Sequence, residues 1–104
     1  MAYTKKNYKD VKGKHGLHFM REPLKLQNHG FSVLEMEEGQ EGMEHDHEDD
    51  GQEEVYFLVE GKAEIEIEGE TIEMAPGDAV SVSPGDSRKL RALEDSKFVI
   101  TGAP

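Results

Sequence analysis

Residues 39–61 read GQEGMEHDHEDDGQEEVYFLVEG. Two imidazoles stand two residues apart, at His45 and His47. On an extended chain, residues i and i+2 point to the same face. Two imidazoles on one face can grip one divalent cation. A carboxylate from a neighbouring strand would complete such a site. Glu54 is placed to supply it, because it opens the apolar run VYFLV after the six-residue loop 48–53. A loop of that size lets the next strand run back beside the first. Two His and one carboxylate form a facial triad, which leaves coordination positions open.

Outward from this stretch the chain alternates. Lys62–Glu68 reads KAEIEIE, with Ala63, Ile65 and Ile67 on one side and charged residues on the other. Strict period-two alternation predicts a strand with one face in a core and one in water. Val55–Val59 is continuously apolar and predicts a strand buried on both faces. Gly69-Glu70 predicts a two-residue hairpin turn with Gly first. Pro76-Gly77-Asp78, Pro84-Gly85-Asp86 and Glu94-Asp95-Ser96 are further turns. Between and around them lie strand candidates at Leu17–Met20, Leu24–Gln27, Phe31–Met36, Thr71–Met74, Ala79–Val82, Arg88–Leu93 and Lys97–Thr101. Turns recur at about every 8–12 residues, the spacing of a sandwich, jelly roll or barrel. The glutamate-rich stretches 35–41 and 44–54 lack apolar residues at helical spacing and are broken by glycines. At most a short helical turn is expected there.

The marked residues of the first stretch resemble the first motif of the cupin superfamily, G-x5-H-x-H-x3,4-E-x6-G. Gly39, His45, His47, Glu54 and Gly61 occupy its five positions, with two extra residues between His47 and the Glu. Counting back from Gly61 selects Glu54, with Glu53 as the fallback. The second motif, G-x5-P-x-G-x2-H-x3-N, keeps its glycines as Gly77 and Gly85. Its Pro, His and Asn positions hold Ser83, Arg88 and Ala92. The resemblance covers residues 31–101. It implies an all-β double-stranded β-helix, or jelly-roll β-barrel, occupying 1–104 as one domain, with 1–16 as an N-terminal segment and 31–101 as the barrel. It implies a divalent metal (Fe, Mn, Ni or Zn) on His45, His47 and Glu54. A homodimer is the family's usual assembly, and Ala2–Gly13 could serve as an exchanged or docking arm.

Arg88 stands where the family's fourth ligand would be. A guanidinium is always protonated and cannot ligate a cation. Two arrangements follow. In one, the metal stays on His45, His47 and Glu54, and Arg88 clamps an anionic small molecule, which the site oxygenates or isomerises. In the other, Arg88 pairs with Glu54 or Glu53 and the pocket is a metal-free, non-catalytic ligand site. Tyr56 lies on the same face as Glu54 and is a further candidate for ligand contact. The acidic residues Glu48, Asp49, Asp50 and Glu53 could offset the Arg charge, offer a stray oxygen ligand, or be a solvated turn. The remaining histidines, His15, His18 and His29, are not assigned to the site. Met20, Met36, Met43 and Met74 are expected as core filler.

Composition narrows the function classes. The net charge is −11 over 104 residues, and there is no cysteine. Disulfides and thiolate metal sites are excluded. Residues 1–30 hold seven Lys/Arg and two acids, while residues 31–104 hold five Lys/Arg and 21 acids. A body this acidic repels phosphate backbones, so no nucleic-acid partner is expected. The lysines at 5, 6, 9, 12 and 14 are expected in a solvated tail or in a segment lying on the acidic body. No secretory signal is recognised, and no stretch approaches the ~20 apolar residues of a membrane span. A cytoplasmic protein with a small-molecule ligand and no membrane partner is the expectation.

Overall fold

The computed structural model describes residues 2–104. Eight strands follow one another: β1 (Leu17–Phe19), β2 (Gly30–Met36), β3 (Glu53–Glu60), β4 (Ala63–Ile67), β5 (Glu70–Met74), β6 (Ala79–Val82), β7 (Arg88–Ala92) and β8 (Ser96–Ala103). Two antiparallel sheets face each other. One has the order β1-β2-β8-β3-β6 and the other β5-β4-β7. This is the expected all-β jelly-roll sandwich.

Alternation along each strand builds the core between the sheets. Met36, Tyr56, Leu58, Val82 and Phe98 come from the larger sheet. Ala63, Ile65, Met74, Leu90 and Ala92 come from the smaller one. Leu58, Ile65 and Phe98 have no accessible surface. Residues 39–45 widen the smaller sheet along β7 without forming a regular strand. Gly42 N donates to Leu90 O at 2.8 Å, and His45 and Arg88 exchange both backbone hydrogen bonds at 3.0 and 2.9 Å.

The hairpin between β4 and β5 turns one residue earlier than expected. Its central residues are Glu68 and Gly69, with φ of 47° and 83°. Two positive φ values make a type I′ turn, whose twist matches the flanking strands. The expected strand at Leu24–Gln27 is absent, since residues 21–25 form turns. There Leu24 N donates to Met20 O and Leu26 N to Arg21 O. Of the methionines expected in the core, Met20, Met36 and Met74 are buried, whereas Met43 is 84% exposed.

The run Val55–Val59 is not buried on both faces. Tyr56 and Leu58 face the core, while Val55, Phe57 and Val59 are 39–42% exposed on the outer face. The chain leaves this side of β3 uncovered, because the smaller sheet covers only the inner side.

The N-terminal segment lies on the body. Tyr8–Asp10 form one turn of 3-10 helix, capped by Asn7 Oδ1, which accepts from Lys9 N at 2.9 Å. The Tyr8 ring meets His18 edge-on with centroids 5.3 Å apart, and Lys97 Nζ lies 5.5 Å from the Tyr8 centroid. His18 Nδ1 donates to Val11 O at 2.8 Å. His18 is thereby engaged by the N-terminal segment and is not part of the His45, His47 and Glu54 cluster. Among the described residues, no helix is long and apolar enough to cross a membrane.

Candidate metal centre

The two sheets bring the predicted residues together at one end of the sandwich. His45 and His47 lie on the segment beside β7. Glu54 comes from β3 in the opposite sheet, and its side chain points inward because Tyr56 and Leu58 on the same face do. Its neighbour Glu53 points outward and is exposed. The count back from Gly61 therefore selected the inward-facing carboxylate. One ligand atom from each of His45, His47 and Glu54 lies within 4.8 Å of the others, so the cluster can hold a metal ion.

Both imidazoles are oriented through their Nδ1 atoms. His45 Nδ1 lies 3.0 Å from Met43 O, which can only accept. His47 Nδ1 lies 3.0 Å from Asp50 Oδ2 and 3.2 Å from Oδ1. Each partner calls for a proton on Nδ1, which leaves the lone pair of the neutral ring on Nε2. Those Nε2 atoms face one oxygen, Glu54 Oε1, at 3.9 Å from His45 and 3.2 Å from His47. His47 Nε2 is buried and has no hydrogen-bond partner. A buried lone pair facing a carboxylate oxygen is unfavourable unless a cation or a proton lies between them. The donor set of two imidazole nitrogens and a carboxylate oxygen fits a divalent transition metal.

Arg88 closes the inner wall. It is fully buried and donates to three acceptors: Nη1 to Glu54 Oε1 at 3.0 Å, Nη2 to Ser83 O at 2.7 Å and Nε to Asp86 O at 3.0 Å. The turn Ser83–Asp86 thus holds the guanidinium with Nη1 turned toward the carboxylate. Tyr56 donates its hydroxyl to the same Oε1 at 2.6 Å. Gly102 on β8 pairs with Glu54 and leaves room for it. A Cβ there would come within 3.2 Å of Glu54 Cγ and 3.1 Å of Gln52 Oε1.

The protonation states follow from these contacts. Burial pushes the Glu54 carboxyl up, but His45, Tyr56 and the charges of His47 and Arg88 together hold it below the ordinary range. The facing carboxylate raises His45. Burial, then the hydrogen bond to Glu54, pushes the Tyr56 phenol far above its usual range, so it acts as a donor and not as a base. His47, followed by the Gln52 N–H, lowers Asp50.

Residues 32–101 match the family model for the cupin domain. The chain belongs to the cupin family. Solved cupins share its shape. A cupin protein from Bacteroides fragilis superposes with a TM-score of 0.84 at 24% identity, over 99% of this chain and 85% of that one. KdgF from Halomonas sp. gives 0.77 at 21%, over 100% and 94%. A salicylate 1,2-dioxygenase variant from Pseudoaminobacter salicylatoxidans gives 0.67 at 17%, over 73% of this chain and 21% of that one. No curated protein sequence matches the chain.

Several site features were not assigned from sequence. The Met43, Ser83 and Asp86 carbonyls act through the backbone and leave no residue-type signature. Gly102 carries a signal only once its pairing with Glu54 is known. Asp50 lies in the acidic run that also reads as a solvated turn. A carboxylate three residues after a histidine was its only mark.

Proposed function

We propose that this cupin is a metal-dependent protein whose site takes a small anionic molecule. The observation that carries the proposal is the shared orientation of the two imidazoles. Both Nδ1 atoms are engaged, and both Nε2 atoms face Glu54 Oε1, one of them buried without a partner. Fe, Mn, Ni or Zn are the metals this donor set suits. A bound metal would polarise a ligand oxygen and stabilise charge developing on it. Oxygenation or isomerisation of the bound molecule is the proposed chemistry.

The anionic preference rests on charge. A divalent ion and Arg88 together outweigh the single Glu54 carboxylate, so a bound anion would meet excess positive charge. Arg88 retains N–H groups beyond the three engaged, but it is held too tightly to swing. It acts on a ligand as a fixed charge beside the metal position. Tyr56 stays protonated and Glu54 already accepts from Tyr56 and Arg88, so neither serves as a free general base. Chemistry at this site would depend on the metal.

One observation favours a second reading. The 3.0 Å contact of Arg88 with Glu54 is an ion pair complete in itself, as a metal-free binding pocket requires. Elemental analysis of protein purified without added metal separates the two, followed by reconstitution with Fe, Mn, Ni or Zn. Near-stoichiometric metal that disappears in a His45→Ala/His47→Ala double variant supports the metal reading. Oxalate titrated onto the loaded protein should then raise its melting temperature. No uptake of any of the four metals would leave the ion-paired pocket.

We further propose that two copies associate through the open outer face of β3, β6 and β8. Val55, Phe57 and Val59 form an uncharged row there on a chain of net charge −11. The row alone is smaller than the ~800 Å² per partner of a standard interface, and the proposed contact extends onto the N-terminal segment, which meets β8 through Tyr8 and Lys97. That segment carries Lys5, Lys6, Lys9, Lys12 and Lys14, while the rest of the chain is strongly acidic. Lysines of one copy can meet acids of the other across the apolar row.

A further inference from the structure

We propose that Asp50 is a positioning residue that fixes the His47 ring with its Nε2 lone pair turned into the metal cluster. The inference deepens the metal reading above, but its first test does not depend on it.

The geometry comes from the loop that follows His47. After His47 the backbone folds into a turn over residues 48–51, and Gly51 N donates to His47 O at 2.8 Å. Gly51 adopts a φ of +67°, which suits a residue without a Cβ. The turn brings Asp50 back over the ring it follows by three positions. Asp50 is itself anchored, because Gln52 N donates to its Oδ1 at 3.1 Å. The His47 backbone is held as well, with its N–H donating to Pro84 O at 2.8 Å. The six-residue loop between His47 and Glu54 thus builds a turn whose carboxylate reaches Nδ1.

The chemical consequence is a choice of tautomer. A carboxylate can only accept, so Nδ1 must carry the proton and Nε2 the lone pair. Carboxylate–histidine–metal relays work in this way, and losing the outer partner typically weakens metal binding about 10–100-fold. His45 relies on a neutral carbonyl, Met43 O, for the same purpose. Of the two imidazoles, His47 is the one with a charged support.

The test uses the full-length, metal-free, 15N-labelled protein. Long-range 1H–15N correlations of the histidine rings are recorded at about pH 8, above the unperturbed imidazole pKa of ~6.5. The expected result is an Nδ1–H tautomer at His47 in the wild type. In Asp50→Ala it should shift toward Nε2–H. Asp50→Asn, whose amide oxygen can still accept, should restore most of the Nδ1–H form. Zn2+ binding measured by calorimetry should weaken about 10–100-fold in Asp50→Ala and less in Asp50→Asn. Asp50 is half-exposed on a loop, and urea midpoints close to wild type will show that both variants fold. An Nε2–H tautomer in the wild type overturns the proposal, as does a tautomer in Asp50→Ala that does not change. Nδ1–H in the wild type that shifts in Asp50→Ala, with no Zn2+ bound by either protein, would sustain the positioning role and sink the metal reading instead.

Discussion

Arg88 Nη1 and Glu54 Oε1 lie 3.0 Å apart, joining the two sheets through an ion pair with one fully buried partner. The same guanidinium hydrogen-bonds two backbone carbonyls, and the same carboxylate oxygen accepts from Tyr56. The pair therefore serves fold and site together. It crosses the sandwich at residue 88, the position that the motif count gives to a fourth ligand. It also puts a fixed positive charge beside the imidazoles, which must weaken the hold on a cation.

Arg88→His should separate these two effects. Removing the cation and adding a nitrogen donor should tighten Zn2+ binding tenfold or more, about 1.4 kcal/mol. Without metal the same variant should lose about 3 kcal/mol of stability, because breaking a buried pair leaves its partner uncompensated. Calorimetry and urea denaturation in EDTA measure the two quantities. Unchanged Zn2+ affinity would mean that residue 88 is not beside the metal position.

The pH dependence of the metal-free protein should be set by Glu54 and His45 in opposite directions. Glu54 is lowered in the fold, so its contribution is complete above its unfolded pKa of ~4.3 and is lost as pH falls through the folded value. His45 is raised, so its contribution is complete below ~6.5 and is lost as pH rises through the folded value. Both are present only in mild acid. Urea midpoints of wild type and His45→Gln in EDTA should differ most at about pH 5–6 and converge in alkali. Parallel profiles would remove His45 from the pair. Zn2+ affinity should run the other way and rise with pH, because metal displaces protons from imidazole.

Gly61→Ala should be among the most destabilising single-methyl changes in the chain. Gly61 has a φ of +100°, and an added Cβ would run into Asp95 O, Ser96 Oγ and Ser96 Cα where β3 turns into β4 beneath β8. Neither backbone group can give way cheaply. A loss above about 2 kcal/mol is expected, read from the urea midpoint. Gly39→Ala is the control. Its φ is +85°, yet an added Cβ would meet nothing within 4 Å, so only the conformational cost of about 1 kcal/mol applies. Equal losses at both positions would show that crowding at Gly61 plays no part.

The strands that position the site were legible because alternation is a local signal. KAEIEIE announced β4, and Ala63 and Ile65 are fully buried as that pattern requires. The same logic failed for VYFLV, where five apolar residues hide the period and only the second sheet decides which face is covered. Leu24–Gln27 failed because Met20 O and Arg21 O draw the backbone into turns, a choice that side-chain pattern does not record. At the site, the His45–His47 spacing and the count from Gly61 pointed to the three clustered residues. The Arg88–Glu54 pair is one of the two arrangements that the sequence allows. What lay beyond reach was the backbone: the three carbonyls and the turn that returns Asp50 to His47 depend on loop paths that residue identity alone does not specify.

The outer face of β3 presents an exposed apolar row. Val55, Phe57 and Val59 are about two-fifths exposed, and their β8 and β6 partners on the outer face include Val99, Thr101, Ala79 and Ser81, none of them charged. If two copies meet there, light scattering at micromolar concentration will give twice the mass of the chain. Phe57→Glu will then return a monomer, because two like charges would be brought together in a desolvated contact. The substitution lies on the outer face, away from Glu54 and Arg88, so Zn2+ affinity should stay within twofold of wild type. Adding salt to the wild type will loosen the dimer if lysines of the N-terminal segment meet acids of the other copy. A wild-type mass equal to one chain at all accessible concentrations would refute the association. A dimer unmoved by Phe57→Glu would place the contact on another face.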